Sequence, residues 1–206
     1  MGLGLRNLAF RSALSWREAR LLGGRAWYWR LRLALGWVRL SRPSPRRSTA
    51  TGGDDLTYGE TPILTAFQLG QKLSLSPAER VVDLGAGVGL PLVALHLAFG
   101  CPGEGWEIVP HRLEAAQALA QSLQITQVTF SGNNFLEDPI PEGDVFLLSP
   151  TALEDASWKT LREKMQACRP GTRAVTLTVP LPEKDWETLE SADYGFSWGE
   201  TGVYLQ

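Results

Sequence analysis

The sequence predicts an α/β domain with a doubly wound, mostly parallel sheet closed by an antiparallel C-terminal hairpin, on three observations. Between residues 57 and 206, short β-branched or apolar runs alternate with amphipathic helical stretches. The run VVDLGAGVG, Val81 to Gly89, leads two β-branched residues into Asp83, then sets Gly85, Gly87 and Gly89 at alternate positions before an apolar stretch begins at Leu90. The chain closes on short runs around Phe196–Trp198 and Val203–Leu205, spaced as a hairpin.

Charge divides the chain before any motif does. Residues 1–47 hold eleven arginines and one glutamate, a net +10, whereas the rest holds nine basic and 21 acidic side chains, a net −12. A basic arm therefore precedes an acidic body. From Arg25 to Leu40, Arg25, Arg32 and Arg39 recur at seven-residue steps as one helical stripe, with Trp29, Leu33, Trp37 and Leu40 largely elsewhere. This predicts a basic amphipathic helix rich in aromatics. No apolar run reaches the ~18–20 residues of a membrane span. Three readings of the arm stand open: peripheral contact of residues 25–40 with anionic lipid, an organelle-targeting presequence, and a helix docked on the acidic body or an acidic partner. The polar Pro/Gly/Ser-rich stretch Ser41 to Asp55 marks the boundary, with the arm as residues 1–47, a linker as 48–56 and the domain as 57–206.

Beyond the linker, Thr61 before Pro62 predicts a helix N-cap with proline in the first turn, followed by Ile63, Ala66, Phe67, Gly70 and Leu73 at helical spacing. Because this helix precedes the first strand, Tyr58, Glu60 and Thr61 fall on a loop that either folds over a cavity at the strand ends or only caps the helix. VVDLGAGVG reads as a buried strand, a tight turn and a helix start. Its glycines permit positive φ and close approach of a ligand to the helix N-terminus, and the plain alternative is a structural turn. Leu90 to Phe99 predicts a buried helix ended by Gly100, with His96 a core or rim residue. A second strand is expected at Trp106–Val109. It carries Glu107, 24 residues after Asp83, near the roughly 20-residue spacing of a ribose-binding acid.

The next helix sets Leu113, Ala116, Ala120 and Leu123 on one face, and strands follow at Val128–Phe130 and Asp144–Leu148. After Ser149-Pro150-Thr151 comes a helix with Trp158, Leu161, Met165 and Cys168 on one face. Gly171 then opens into a strand at Thr172–Val179, and a further helix is expected over Pro182–Glu190. Cys101 and Cys168 follow neither metal nor disulfide spacing, no metal site is expected, and no recognised motif points to nucleic acid.

The alternating glycines differ in register from the G-x-G-x-x-G of dinucleotide sites. They resemble motif I of the class I S-adenosylmethionine (SAM) methyltransferases, which implies a Rossmann-like sheet and SAM as cofactor. Tyr58-Gly59-Glu60-Thr61 together with Val82 to Gly89 resembles the non-SET histone-lysine methyltransferases, the disruptor-of-telomeric-silencing family. That resemblance spans about residues 57–206 and continues at Glu107, Asn134-Phe135 and FSWGETGVYL. It implies that Tyr58, Glu60 and Thr61 line the methionine and sulfonium end, that Asp83, Gly85 and Gly87 form the cofactor loop, and that Glu107 holds the ribose. Asn134 and Phe135 would flank the adenine, Asn134 standing where the family has Asp.

After the fourth strand that family carries Asn-Asn-Phe, whereas this chain has Ser149-Pro150-Thr151. There, and at VPLPEKDW, the chain is similar to the lysine methyltransferases of the ATP synthase c-subunit. Both resemblances imply a protein substrate with a target lysine. Glu60, Ser149 and Tyr58 are then expected at the reacting end, with Ser149 or Thr151 orienting the amine and Tyr58, Trp198 and Tyr204 walling its channel. Trp198 and Tyr204 read equally well as sheet core, and Ser-Pro-Thr as a helix start. Two other functions stay open: a methyltransferase for a small molecule or lipid at a membrane surface, and a non-catalytic SAM-fold binding protein. The expected location is the cytoplasm, peripheral at a membrane, or the mitochondrion for a eukaryotic source.

Overall fold

Four-residue apolar runs cannot satisfy their own backbone groups, so they pair. β1 (Val81–Leu84) lies between β2 (Gly103–Trp106) and β4 (Val145–Leu148), parallel to both. With β3 (Val128–Ser131), β5 (Arg173–Leu177), β6 (Glu190–Phe196) and β7 (Gly199–Leu205) they complete one sheet in the order β3-β2-β1-β4-β5-β7-β6. Only β7 runs antiparallel to its neighbours β5 and β6, which is the doubly wound sheet with a closing hairpin that the sequence predicts. The computed structural model describes the backbone of residues 3–41, 59–150 and 153–206, and side chains from residue 12 onward within them. Residues 48–56 of the expected linker, Tyr58 and Thr151 lie outside the described residues.

Side chains alternate across the sheet and feed two cores. Val81, Val145 and Val175 face one core with α3 (Ile63–Lys72), α4 (Leu90–Phe99) and α5 (Pro110–Ser122). Val82, Phe146 and Ala174 face the other, shared with α6 (Asp155–Met165), Leu181 and Trp186. α4 ends where expected, Gly100 taking the left-handed cap conformation at φ 78°.

Three expectations need correction. β2 ends at Trp106 rather than spanning Trp106–Val109, because packing overrides propensity there. A Cβ on Gly103 would come within 2.6 Å of Leu92, and one on Gly105 within 2.5 Å of Phe130, so only glycine lets this strand lie so close to its neighbours. Pro182–Glu190 forms no helix. Its one turn, with the Asp185 and Trp186 amides donating to the Pro182 carbonyl, stops as Trp186 enters the second core. The Gln206 side chain holds both backbone groups of Leu181, the Leu189 amide donates to Leu205, and the chain continues directly into β6. Thr61 does not cap α3. Pro62 occupies that position without a side-chain cap, and the buried Glu18 carboxylate accepts from the Leu64 amide at 3.3 Å instead.

Glu18 belongs to α1 (Leu3–Leu22), a helix the sequence reading did not anticipate. It precedes α2 (Ala26–Ser41), whose Tyr28, Leu31, Leu35 and Val38 are buried as α2 packs on α4 and α5. The arm helix is thus docked on the body by one face.

Candidate active site

Open α/β sheets bind ligands beyond the carboxyl ends of the strands where the strand order reverses, here between β1 and β4. A cavity of about 330 Å³ opens there. Its wall includes Glu60, Thr61, Asp83, Gly85, Gly87, Glu107, Asn134, Phe135 and Ser149, so these residues expected at the cofactor and the reacting end share one space. Tyr58 lies outside the described residues, and Tyr204 is absent from the wall, paired instead with Thr176 and Ser191 within the sheet.

The floor is the glycine turn. Gly85, Gly87 and Gly89 all have positive φ, at 98°, 56° and 74°. The surroundings of two of them differ. A Cβ at Gly85 would meet nothing within 4 Å, so this backbone faces open space, whereas one at Gly89 would strike Phe130 at 2.4 Å. Glu107, just past the end of β2, locks the turn: its carboxylate accepts from the Gly87 amide and from the Val109 amide, both at 2.8 Å. Asp83 is buried close by. Burial, and then the charge of Glu107, push its carboxyl group up to about 7.

The rim is made from the two ends of the domain. The Glu60 amide donates to Ser197 Oγ at 3.0 Å, and the Ser197 amide donates to the Glu60 carbonyl at 3.2 Å. These bonds tie the Gly59–Thr61 segment to the tip of the β6–β7 hairpin. Trp198 lies at that tip, stacked on Phe196 at 4.8 Å between ring centroids. A Cβ on Gly59 would sit 2.3 Å from the Trp198 ring, so the indole requires glycine there. Trp198 is therefore part of the cavity wall rather than buried core. The Glu60 carboxylate takes two hydrogen bonds from one Arg39 nitrogen, at 2.5 and 2.7 Å, reaching across from α2.

Asn134 holds its own turn, its side-chain oxygen accepting from the Leu136 amide at 3.0 Å and its carbonyl from the Asp138 amide. Ser149 is exposed at the end of β4. Sequence reasoning missed three residues here: Ile108 and the buried Arg112, both on the wall, and Arg39 as a partner of Glu60. Ile108 carries a readable signal, an apolar side chain directly after the acid and left exposed. The placement of Arg39 depends on the tertiary docking of α2, which no local pattern announces. Among the described residues, no group of three or more His, Cys, Asp or Glu side chains is arranged to hold a metal ion.

Solved structures share this architecture. An RNA methyltransferase from Salinibacter ruber in complex with S-adenosylhomocysteine is 22% identical with a TM-score of 0.59, covering 71% of this chain and 91% of that one. Magnesium protoporphyrin IX methyltransferase from Synechocystis with bound SAM is 14% identical, TM-score 0.58, covering 69% and 76%. A ribosomal protein L11 methylase from Lactobacillus delbrueckii is 14% identical, TM-score 0.57, covering 72% and 80%. At such identities the likeness concerns the fold. No curated protein matches the sequence. The family model for the histone methylation protein DOT1 matches residues 48–194, most of the chain and all of the cavity wall up to β6. The chain belongs to the DOT1 histone methylation family and is a SAM-dependent methyltransferase of the class I fold.

Proposed function

We propose that this chain transfers a methyl group from SAM to a lysine side chain of a protein substrate. One observation carries the reading: in a chain of the DOT1 family, the Glu60-Thr61 segment, the glycine turn, Glu107, Asn134-Phe135 and Ser149 share one cavity.

The wall suits the cofactor. An ionised carboxylate offers about four lone-pair sites, and Glu107 spends two on the Gly87 and Val109 amides, which leaves two for the paired hydroxyls of a ribose. The open backbone at Gly85 leaves room for the methionine part above the turn. Phe135 and Ile108 offer apolar surface to a purine, with Asn134 at its edge. When bound, SAM supplies a methyl group already made electrophilic by its sulfonium charge. By the family resemblance Glu60 and Thr61, with Tyr58 beside them in sequence, would face that end; the Glu60 carboxylate is already held by Arg39, and an ionised Asp83 favours positive charge in the cavity.

The protein's remaining task is to present a neutral amine in line with the breaking bond, at about 3–3.5 Å. A lysine of ordinary pKa about 10.4 loses its proton more readily where apolar surface desolvates its charge. Trp198 provides such surface at the rim, and the Ser149 hydroxyl can orient the nitrogen.

The test is methyl transfer from methyl-labelled SAM into the proteins of a membrane-containing lysate, with hydrolysis of the product. The proposal expects a discrete protein band whose label is recovered as methyl-lysine and which Glu107→Ala abolishes. Label in the lipid or small-molecule fraction, with none in lysine, would contradict it.

A further inference from the structure

We propose that the outer face of α2, with the adjoining part of α1, is a docking surface for an anionic lipid bilayer. The inference is independent of what the cavity methylates. α2 already has the burial it needs to fold, since Tyr28, Leu31, Leu35 and Val38 face the body. It nevertheless carries a second apolar face. Trp29, Leu33, Trp37 and Leu40, three or four residues apart, share one side of the helix and are 48%, 75%, 56% and 91% exposed. Trp16 and Leu21 of α1 are likewise exposed. Trp29 also has a local role, its indole N–H donating to the Gly23 carbonyl at the turn between the helices. No comparable local bond accounts for Leu33, Trp37 or Leu40. A patch of this kind marks an interaction site.

Charge selects the partner. From residue 12 to residue 41 every exposed charged side chain is an arginine, and the sole acid, Glu18, is buried. Three of these arginines are turned to the protein: Arg25 lies over the Phe67 ring, Arg32 pairs with Glu18 and Arg39 with Glu60. Arg17, Arg20 and Arg30 make no ion pair among the described residues. Tryptophan and leucine between unpaired arginines, with no exposed acid, match the interfacial zone of a bilayer with anionic headgroups. No described helix is long and apolar enough to cross a membrane, so the arm lies on the surface. Leu40 adjoins Arg39, which reaches Glu60 at the cavity rim.

The test uses the full chain and sedimentation with lipid vesicles, either phosphatidylcholine alone or phosphatidylcholine mixed with phosphatidylglycerol. Two variants accompany it: Leu33→Ser with Trp37→Ser and Leu40→Ser, and Arg17→Gln with Arg20→Gln and Arg30→Gln. The sites are exposed, so both variants should keep the wild-type circular dichroism and melting curve. The proposal expects binding to the mixed vesicles that weakens with salt and falls at least about tenfold in each variant. Equal binding to neutral and anionic vesicles, or undiminished binding by the variants, would overturn it. So would failure to sediment combined with a dimer that the apolar substitutions dissociate, because the stripe would then serve a second copy of the chain.

Discussion

Asp83 places a proton where a cation is expected. Burial and the neighbouring Glu107 hold its carboxyl group at about 7, well above the ordinary carboxylate range. The folded protein thus keeps a proton that the unfolded chain has released by about pH 4–5, so this group's contribution to stability falls as the pH rises from there through about 7. A cationic ligand has the opposite preference and favours the ionised form. SAM affinity is therefore expected to rise with pH through about 7, and Asp83→Asn to flatten that dependence; calorimetric titrations across the range would measure both. An unchanged slope in the variant would assign the proton elsewhere. At Gly85, replacement by arginine both strains a backbone at φ 98° and fills the space above the turn. Gly85→Arg should remove measurable SAM binding in a protein that still melts cooperatively. The motif acids and glycines were legible because they carry strict local geometry. Arg39 and Arg112 were not, since each reaches the cavity only through the packing of its helix.

Elements were legible in proportion to how much local pattern decided them. β1 is an apolar run before a glycine turn, α4 an apolar run ended by Gly100, and α5 and α6 carry apolar residues at helical spacing, and all four form close to where the sequence predicts them. β2 carries two glycines and a glutamate, with only Trp106 favouring a strand, yet its neighbours require that narrow shape. The stretch after Leu181 has helical spacing but loses to the sheet edge, because Gln206 and Leu205 take up its backbone groups. The start of α3 illustrates the same dependence on distant partners. Glu18 accepts from the Leu64 amide and from Arg32 while buried among α1, α2 and α3, and burial raises its pKa. Glu18→Ala leaves those donors without a buried acceptor and is expected to cost about 1–3 kcal/mol in chemical denaturation. A cost near zero would mean that water satisfies them. On the rim, Gly59→Ala forces the Trp198 ring away. That change should raise the KM for the methyl acceptor more than it alters SAM affinity, which steady-state kinetics beside calorimetry can separate.

At the scale of the molecule, the basic arm and the acidic body are one packed unit across α2, while the opposite side of the same helix stays exposed. Charge asymmetry announced two parts but not how they join, because the inner and outer apolar faces of α2 look alike in sequence. Removing residues 1–41 uncovers the surfaces of α4 and α5 beneath Leu31, Leu35 and Val38. The truncated chain is expected to lose stability on the order of 5 kcal/mol or to self-associate, as thermal melting and light scattering would report. The central claim concerns the cavity that all these parts surround, and calorimetric titration of SAM into wild type and Glu107→Ala tests it most directly. The account predicts saturable binding to the wild type and a loss of about 100-fold in the variant, as two charge-assisted bonds to the ribose disappear. Unchanged affinity in a folded Glu107→Ala protein would contradict it.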